Sequence, residues 1–215
     1  MPLNIIGDLT QNDVRIEPNF REKSNGSITM RGTGNVVHIA TSRPARGGVT
    51  IVMTSNDRFE LHENAAIAEI LVFLKDGSTA IFGANSFAIA SVKLFSHERA
   101  NINIGKDCLI GGNFQCMTSD MHSIVEVATK NRINPPGDII VGDKVWAGFD
   151  VTLMKGTTIG GGSVIGARST VMGTFPENCS LLGYPARAVK LGVTWDADTL
   201  PWADRGETPK KVALY

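Results

Sequence analysis

His122 and Asp120 stand two residues apart in the stretch TSDMHSI, and together they offer the parts of a proton-transfer pair. An imidazole, with an unperturbed pKa of about 6.5, is the side chain best suited to take a proton from a hydroxyl at neutral pH. Residues two apart on an extended segment point the same way, so Asp120 is placed to orient the ring or to stabilise the imidazolium. A main-chain carbonyl would do the same work, and Glu126 is a further carboxylate nearby. His38, His62 and His97 fall in or beside apolar, strand-like runs and read as solvated or hydrogen-bonded side chains. No histidine follows His122 and no pair has close ligand spacing, so no metal site is expected.

The surrounding pattern says what must hold His122 in place. From Val141 to Pro176 the chain divides into VGDKVW, AGFDVT, LMKGTT, IGGGSV, IGARST and VMGTFP, with Val, Ala, Leu or Ile first and Val, Thr, Ser or Phe fifth. An amphipathic helix needs apolar recurrence every three to four residues and a lone strand every two, so a period of six fits neither. It fits a parallel β-helix in which each hexad is a short strand plus a corner. The first position points inward, the fifth fills the corner, and glycine beside the corner permits backbone angles that a Cβ would forbid. Successive coils then stack about 4.8 Å apart, each covering the aliphatic row of its neighbour. GGGSVIG belongs to this phase and opens no helix, so it is not a dinucleotide-binding motif.

The phase starts at IGKDCL and IGGNFQ, reaches Cys116, and then fails until Val141. A loop over 118–138 must therefore leave the coil and return, with Pro135-Pro136-Gly137 breaking any strand before re-entry. Function gathers in such excursions because the coil is committed to packing. Residues 1–101 read as irregular coils, from runs such as NVVHIA, VTIVMTSN and AEILVFLKDGSTAIFG, and residues 1–30 as a loose first coil or a mobile cap. Regular coils span 102–176, and one β-helix domain spans 1–190. The tail, 191–215, abandons the repeat; its Trp195, Pro201 and Trp202 pack on the prism or a neighbouring subunit, or form a partly ordered end. Cys108 and Cys116 take fifth and first positions, so they read as buried reduced thiols, which argues against Cys116 as a nucleophile.

Composition narrows the function classes. Among 215 residues, 21 Lys plus Arg balance 21 Asp plus Glu, so no net field draws nucleic acid or an anionic membrane. No apolar run approaches the roughly 20 residues of a membrane helix. MPLNIIGDLTQND reads as neither signal nor transit peptide, so a cytoplasmic protein is expected. Trp146 takes a sixth position, expected to face outward, where a tryptophan calls for a ligand or a neighbouring subunit to cover it.

Over about residues 102–190 the chain resembles the hexapeptide-repeat acyltransferases, most closely their sugar and capsular-polysaccharide O-acetyltransferase branch. The residues that carry the likeness are TSDMHSI, IIVGDKVWAGFDVTLMKGTTIGGGSVIGARSTVM and LLGYPARAVK. The resemblance implies an all-β fold, a left-handed parallel β-helix of triangular section with one excursion loop and an irregular C-terminal tail. It also implies acetyl-CoA as acetyl donor, a sugar or polysaccharide acceptor, no metal, and a homotrimer with the cleft between neighbouring prisms. In that family the loop histidine, here His122, is the base, and the tryptophan matching Trp146 lines the cleft. By the same likeness the Gly148 amide holds the oxyanion, Ala167 lies beside the pantetheine arm, and Arg187 with Lys190 meets the phosphates. Met172-Gly173 stands where relatives often carry Thr-Lys; backbone contacts survive that change, while a lysine–phosphate contact is lost. The fold also hosts a zinc hydratase, which needs three imidazoles that this chain lacks. Two rivals remain: an N-acetyltransferase acting on an amino sugar, and a non-enzymatic β-helix binding module.

Overall fold

The computed structural model describes residues 2–200. They wind into a parallel β-solenoid of about eight turns, a left-handed β-helix built from three ladders of strands. The first face is one sheet of eight strands: Asp13–Ile16, Val36–Ile39, Arg58–Leu61, Thr79–Phe82, Asn101–Ile104, Ile139–Val141, Thr158–Ile159 and Thr174–Phe175. Its inward residues stack in register, Ile39 on Leu61, then Phe82, Ile104, Val141 and Ile159, all buried. The second face stacks Ala88, Ile110, Ala147, Ile165 and Leu181. The third stacks Ile28, Ile51, Val72, Leu94, Cys116, Leu153 and Val171. Each coil covers the apolar row left open by the last, so the core is one column.

The fifth positions behave as their chemistry requires. Val145, Val151, Thr157, Ser163 and Ser169 are fully buried at corners. Thr157 there donates its hydroxyl to the Val171 carbonyl at 3.0 Å and Ser163 to Pro176 at 3.3 Å, so a buried polar group binds the next coil. The sixth hexad departs from the pattern. Phe175, expected at a corner, pairs with Ile159 on the first face, because Gly173 at φ +105° turns the chain early.

The amino-terminal coils stack in register; the first carries a helix and the second a strandless segment in place of a second-face strand, and the next two differ at one corner. AIAEILVFL and FAIASVKLF lack turn residues, so strands Ala66–Leu74 and Phe87–Ser96 run from the second face into the third. Later coils break there, at Asn113, Asp150 and Arg168, all with positive φ. The first 30 residues, expected to be loose, instead form strands Asn4–Ile6, Asp13–Ile16 and Asn25–Met30 and a short helix, Pro18–Lys23, whose Phe20 is buried against the core. The three cysteines are free and buried.

Two departures from the prism matter for function. Between Met117 and Ile139 the chain leaves at the edge where the third face meets the first. In a triangular section that edge lies across from the second face. At the carboxyl-terminal end, strand Ala186–Leu191 turns back antiparallel on Cys179–Gly183, and the chain then reaches Trp146. Trp195 packs on Trp146 with ring centroids 6.2 Å apart; Pro201 and Trp202 lie outside the described residues. No helix among the described residues is long and apolar enough to cross a membrane.

Candidate active site

The excursion is held at its base by charge. Glu98, in a left-handed turn, accepts from the Arg132 guanidinium and from the Ser119 hydroxyl, and these bonds hold its carboxyl at about 2. Asp120 is engaged by the Lys155 ammonium and by the Asn134 amide at 2.7 Å, which lower its pKa. The same Asn134 amide donates to the His122 carbonyl at 2.8 Å, while its side-chain oxygen accepts from the Ile124 amide at 2.7 Å. Asn134 is only 6% exposed, so these are buried, mutually fixed contacts. Past them the loop closes as a small hairpin, with a Val125–Arg132 bridge. The backbone at His122 is thereby pinned, its side chain is exposed, and no hydrogen bond among the described residues engages the ring. Asp120 makes no bond to that ring either; its carboxylate is spent on Lys155 and Asn134.

The other histidines have different surroundings. His38 meets Asp13 at 3.0 Å and His62 meets Glu60 at 2.9 Å, the paired condition expected of them. His97 is buried against Phe73 with its Nε2 unpartnered, and burial lowers its pKa. The thiols offer no rival nucleophile: burial pushes Cys108 up to about 11 and raises Cys116 as well.

The second face is built differently. Its outward row runs Phe87, Leu109, Trp146, Val164, Ser180, Lys190, one residue per strand. Beside Trp146 successive coils approach closely: a Cβ on Gly111 would lie 2.5 Å from the Gly148 backbone, and one on Gly148 would lie 2.7 Å from the Ala167 nitrogen. Trp146, 41% exposed, and exposed Phe149 flank this close-packed corner. The Gly148 amide, expected to face a reacting oxygen, instead donates to the Ile165 carbonyl at 2.8 Å within the ladder. The Phe149 and Ala167 amides of the same turns have no acceptor among the described residues. Trp195 packs on Trp146 in the middle of the row and donates its Nε1–H to the Lys144 carbonyl at 2.7 Å. Arg187 and Lys190 are exposed on the closing strand, past Ser180.

The expected residues thus fall into two groups on opposite sides of one prism. His122, Asp120 and exposed Met172 share the edge between the third and first faces. Trp146, Gly148, Ala167, Arg187 and Lys190 share the second face and its following corner. Sequence reasoning missed Asn134, Lys155 and the Glu98–Arg132 pair, whose partners are 12 to 35 residues away. It also missed Trp195 as a neighbour of Trp146. The one available signal was that polar residues crowd a loop that must be fixed to act.

No protein-family model matches the chain. A polysialic acid O-acetyltransferase of Escherichia coli O1:K1 / APEC is 33% identical over 135 residues, which is 63% of this chain and 43% of that protein. The crystal structure of the polysialic-acid-specific acetyltransferase NeuO aligns over 91% of this chain and 78% of its own, with a TM-score of 0.76 and 28% identity. In sequence and fold the chain is similar to polysaccharide O-acetyltransferases of the left-handed β-helix type. A second such structure, the polysialic acid O-acetyltransferase OatWY, shares the fold over 93% of both chains at a TM-score of 0.76 and 24% identity. The chain spans under half the length of the first of these relatives, although it spans most of both solved structures. In this chain the excursion and the outward tryptophan lie on separate sides of the prism.

Proposed function

We propose that this protein is an acetyl-CoA-dependent O-acetyltransferase acting on a hydroxyl of a sugar or polysaccharide, in a homotrimer whose clefts lie between neighbouring prisms. The observation that carries the reading is the unpaired His122 imidazole on a pinned backbone, in a loop whose neighbouring carboxylates are already engaged. The opposed placement of His122 and Trp146 supports a shared cleft: one prism supplies the base from its edge, and the next supplies the tryptophan from its second face. In the reaction, His122 takes the proton of the acceptor hydroxyl as its oxygen attacks the thioester carbonyl. The C–O bond forms, the C–S bond breaks, and the imidazolium returns the proton to the departing thiolate. Close placement of the two substrates supplies much of the rate, and no enzyme-bound acyl group is required.

The second face suits the donor. Exposed Trp146 and Phe149, beside small residues at the Gly148–Ala167 corner, would flank a slender pantetheine arm, and Lys190 and Arg187 lie where the anionic nucleotide end would follow. The free Phe149 and Ala167 amides replace Gly148 as candidates to hold the oxyanion or the arm. Three unpaired cysteines fit a reducing, cytoplasmic setting. The test is to incubate the protein with radiolabelled acetyl-CoA and either polysialic acid or an amino-sugar acceptor. Alkali-labile label on the polysaccharide is expected; label only on the amine would make the protein an N-acetyltransferase, and absence of saturable acetyl-CoA binding would leave a binding module.

A further inference from the structure

The outward row that carries Trp146 continues toward the amino-terminal end through Leu109 and Phe87 to Ala66. There a cavity of about 420 Å³ opens between a wall of Ala66, Ala68, Phe87 and Ile89 and the segment that bears Arg43 and Arg46. The wall is apolar and open: Phe87 and Ile89 are 38% and 42% exposed, on a strand whose intervening Ala88 is buried. The rim is cationic. Arg43 and Arg46 are exposed, and among the described residues the ion-paired arginines are Arg15, Arg58, Arg132 and Arg168.

The arginine-bearing segment is fastened, although it contains no strand. The Thr41 hydroxyl donates to the Ala65 carbonyl at 2.7 Å, the Ala45 amide to the Ser24 hydroxyl at 3.0 Å, and the Gly47 amide to the Ala68 carbonyl at 2.6 Å. Asn19 donates to the Ser42 carbonyl at 2.6 Å from the helix beneath. Glu69, beside Gly47, is the nearest carboxylate along the wall and makes no ion pair with either arginine. Two guanidinium groups are therefore held over an aromatic surface with their charge uncommitted.

A guanidinium fork matches a carboxylate, and an aromatic ring beside it matches the C–H face of a sugar. We propose that this cavity is a subsite for an acidic saccharide: a carboxylate-bearing unit of the acceptor chain, held by Arg43 and Arg46 and packed on Phe87. At about 4.8 Å per strand, Phe87 lies roughly 10 Å from Trp146 along the face, a distance of about two sugar units. The donor end of the row, at Lys190, points the opposite way, so the two substrates approach Trp146 from opposite ends. This inference rests on the transferase reading for its chemistry, but its binding test does not need turnover.

The experiment measures binding of a polysialic acid chain, and of the same chain with its carboxyls reduced to alcohols, to the full-length protein and to Arg43→Gln/Arg46→Gln. The double variant should melt like the parent and bind the charged chain at least ~10-fold more weakly, with the salt dependence of binding reduced. Reduced chain should bind both proteins alike and weakly, and Phe87→Ala should weaken both chains. In steady-state assays the double variant should raise KM for the polysaccharide and leave kcat and KM for acetyl-CoA unchanged. Equal binding of the charged chain by parent and double variant would overturn the subsite, and so would a raised KM for acetyl-CoA in place of the polysaccharide. Polysaccharide acetylation that proceeds without regard to Arg43 and Arg46 would sink the subsite and leave the transferase standing.

Discussion

The excursion edge and the second face hold their outward groups in place by opposite means. At the edge, position is fixed by side chains: Glu98 by Arg132, Asp120 by Lys155, and Asn134 by a carboxylate, a carbonyl and an amide. On the second face, position is fixed by removing side chains, so that Gly111, Gly148 and Ala167 let successive coils approach closely. The first arrangement leaves one imidazole without a partner; the second leaves exposed Trp146 and Phe149 on a rigid ladder. The lesson is that a solenoid keeps its core for packing and fixes its outward groups either by side-chain bonds or by coil contact.

The largest test of that division is His122→Ala, expected to lower turnover at least ~100-fold, the scale of a general base, with the melting temperature unchanged. Mixing it with equally impaired Trp146→Ala and reassembling the subunits should restore activity, because some clefts then combine an intact edge with an intact face. Failure of the mixture to recover any activity would place both residues in one prism's site. A smaller but still large effect is expected on the face itself. Gly111→Val puts its new side chain into the Gly148 backbone, an overpacking that costs about 1–3 kcal/mol, read as a lowered midpoint in urea unfolding.

At the edge, Asn134→Ala should reduce kcat about tenfold, the lower range of a misplaced base, while KM for acetyl-CoA stays the same. An equal loss in Asn134→Asp, which retains an acceptor but not the amide donor, would assign the effect to the bonds that amide gives to Asp120 and to the His122 carbonyl. The mildest effect concerns pH. The Glu98 carboxyl ordinarily titrates at 4.5 and is lowered to about 2 by Arg132 and Ser119. Its contribution to holding the excursion is therefore complete above about pH 4.5 and fades as pH falls toward 2. Protection factors against hydrogen exchange at residues 118–134, corrected for the intrinsic rate at each pH, should fall across that window, and Glu98→Gln should flatten the change. A flat profile in the parent would mean the loop is held without this pair.

The contrast also explains what could be read in advance. Hexads and the outward Trp146 are local facts: period and position within a repeat settle which way a residue points. His122 stood out because the period failed around it. The fixings of the loop were hidden, since Lys155 lies inside a hexad and gives no sign that its ammonium meets Asp120. Gly148 was named by resemblance as the amide facing the oxyanion; that this amide is used by Ile165 follows only from coil stacking. REKSNGS suggested looseness, whereas Phe20, one residue before it, anchors the first coil.

A parallel ladder offers at its last rung the same unfilled hydrogen-bonding rim that it offers at every other, and nothing in a six-residue period says where to stop. Strand Ala186–Leu191 answers this by reversing direction. Its outer rim carries Arg187 and Lys190, so a neighbouring molecule meets mismatched polarity and like charge, which guards against fibre growth by end-to-end addition. Length in such a molecule is thus set by its final hairpin, and an extra rung spliced in before it should lengthen the prism without provoking polymerisation.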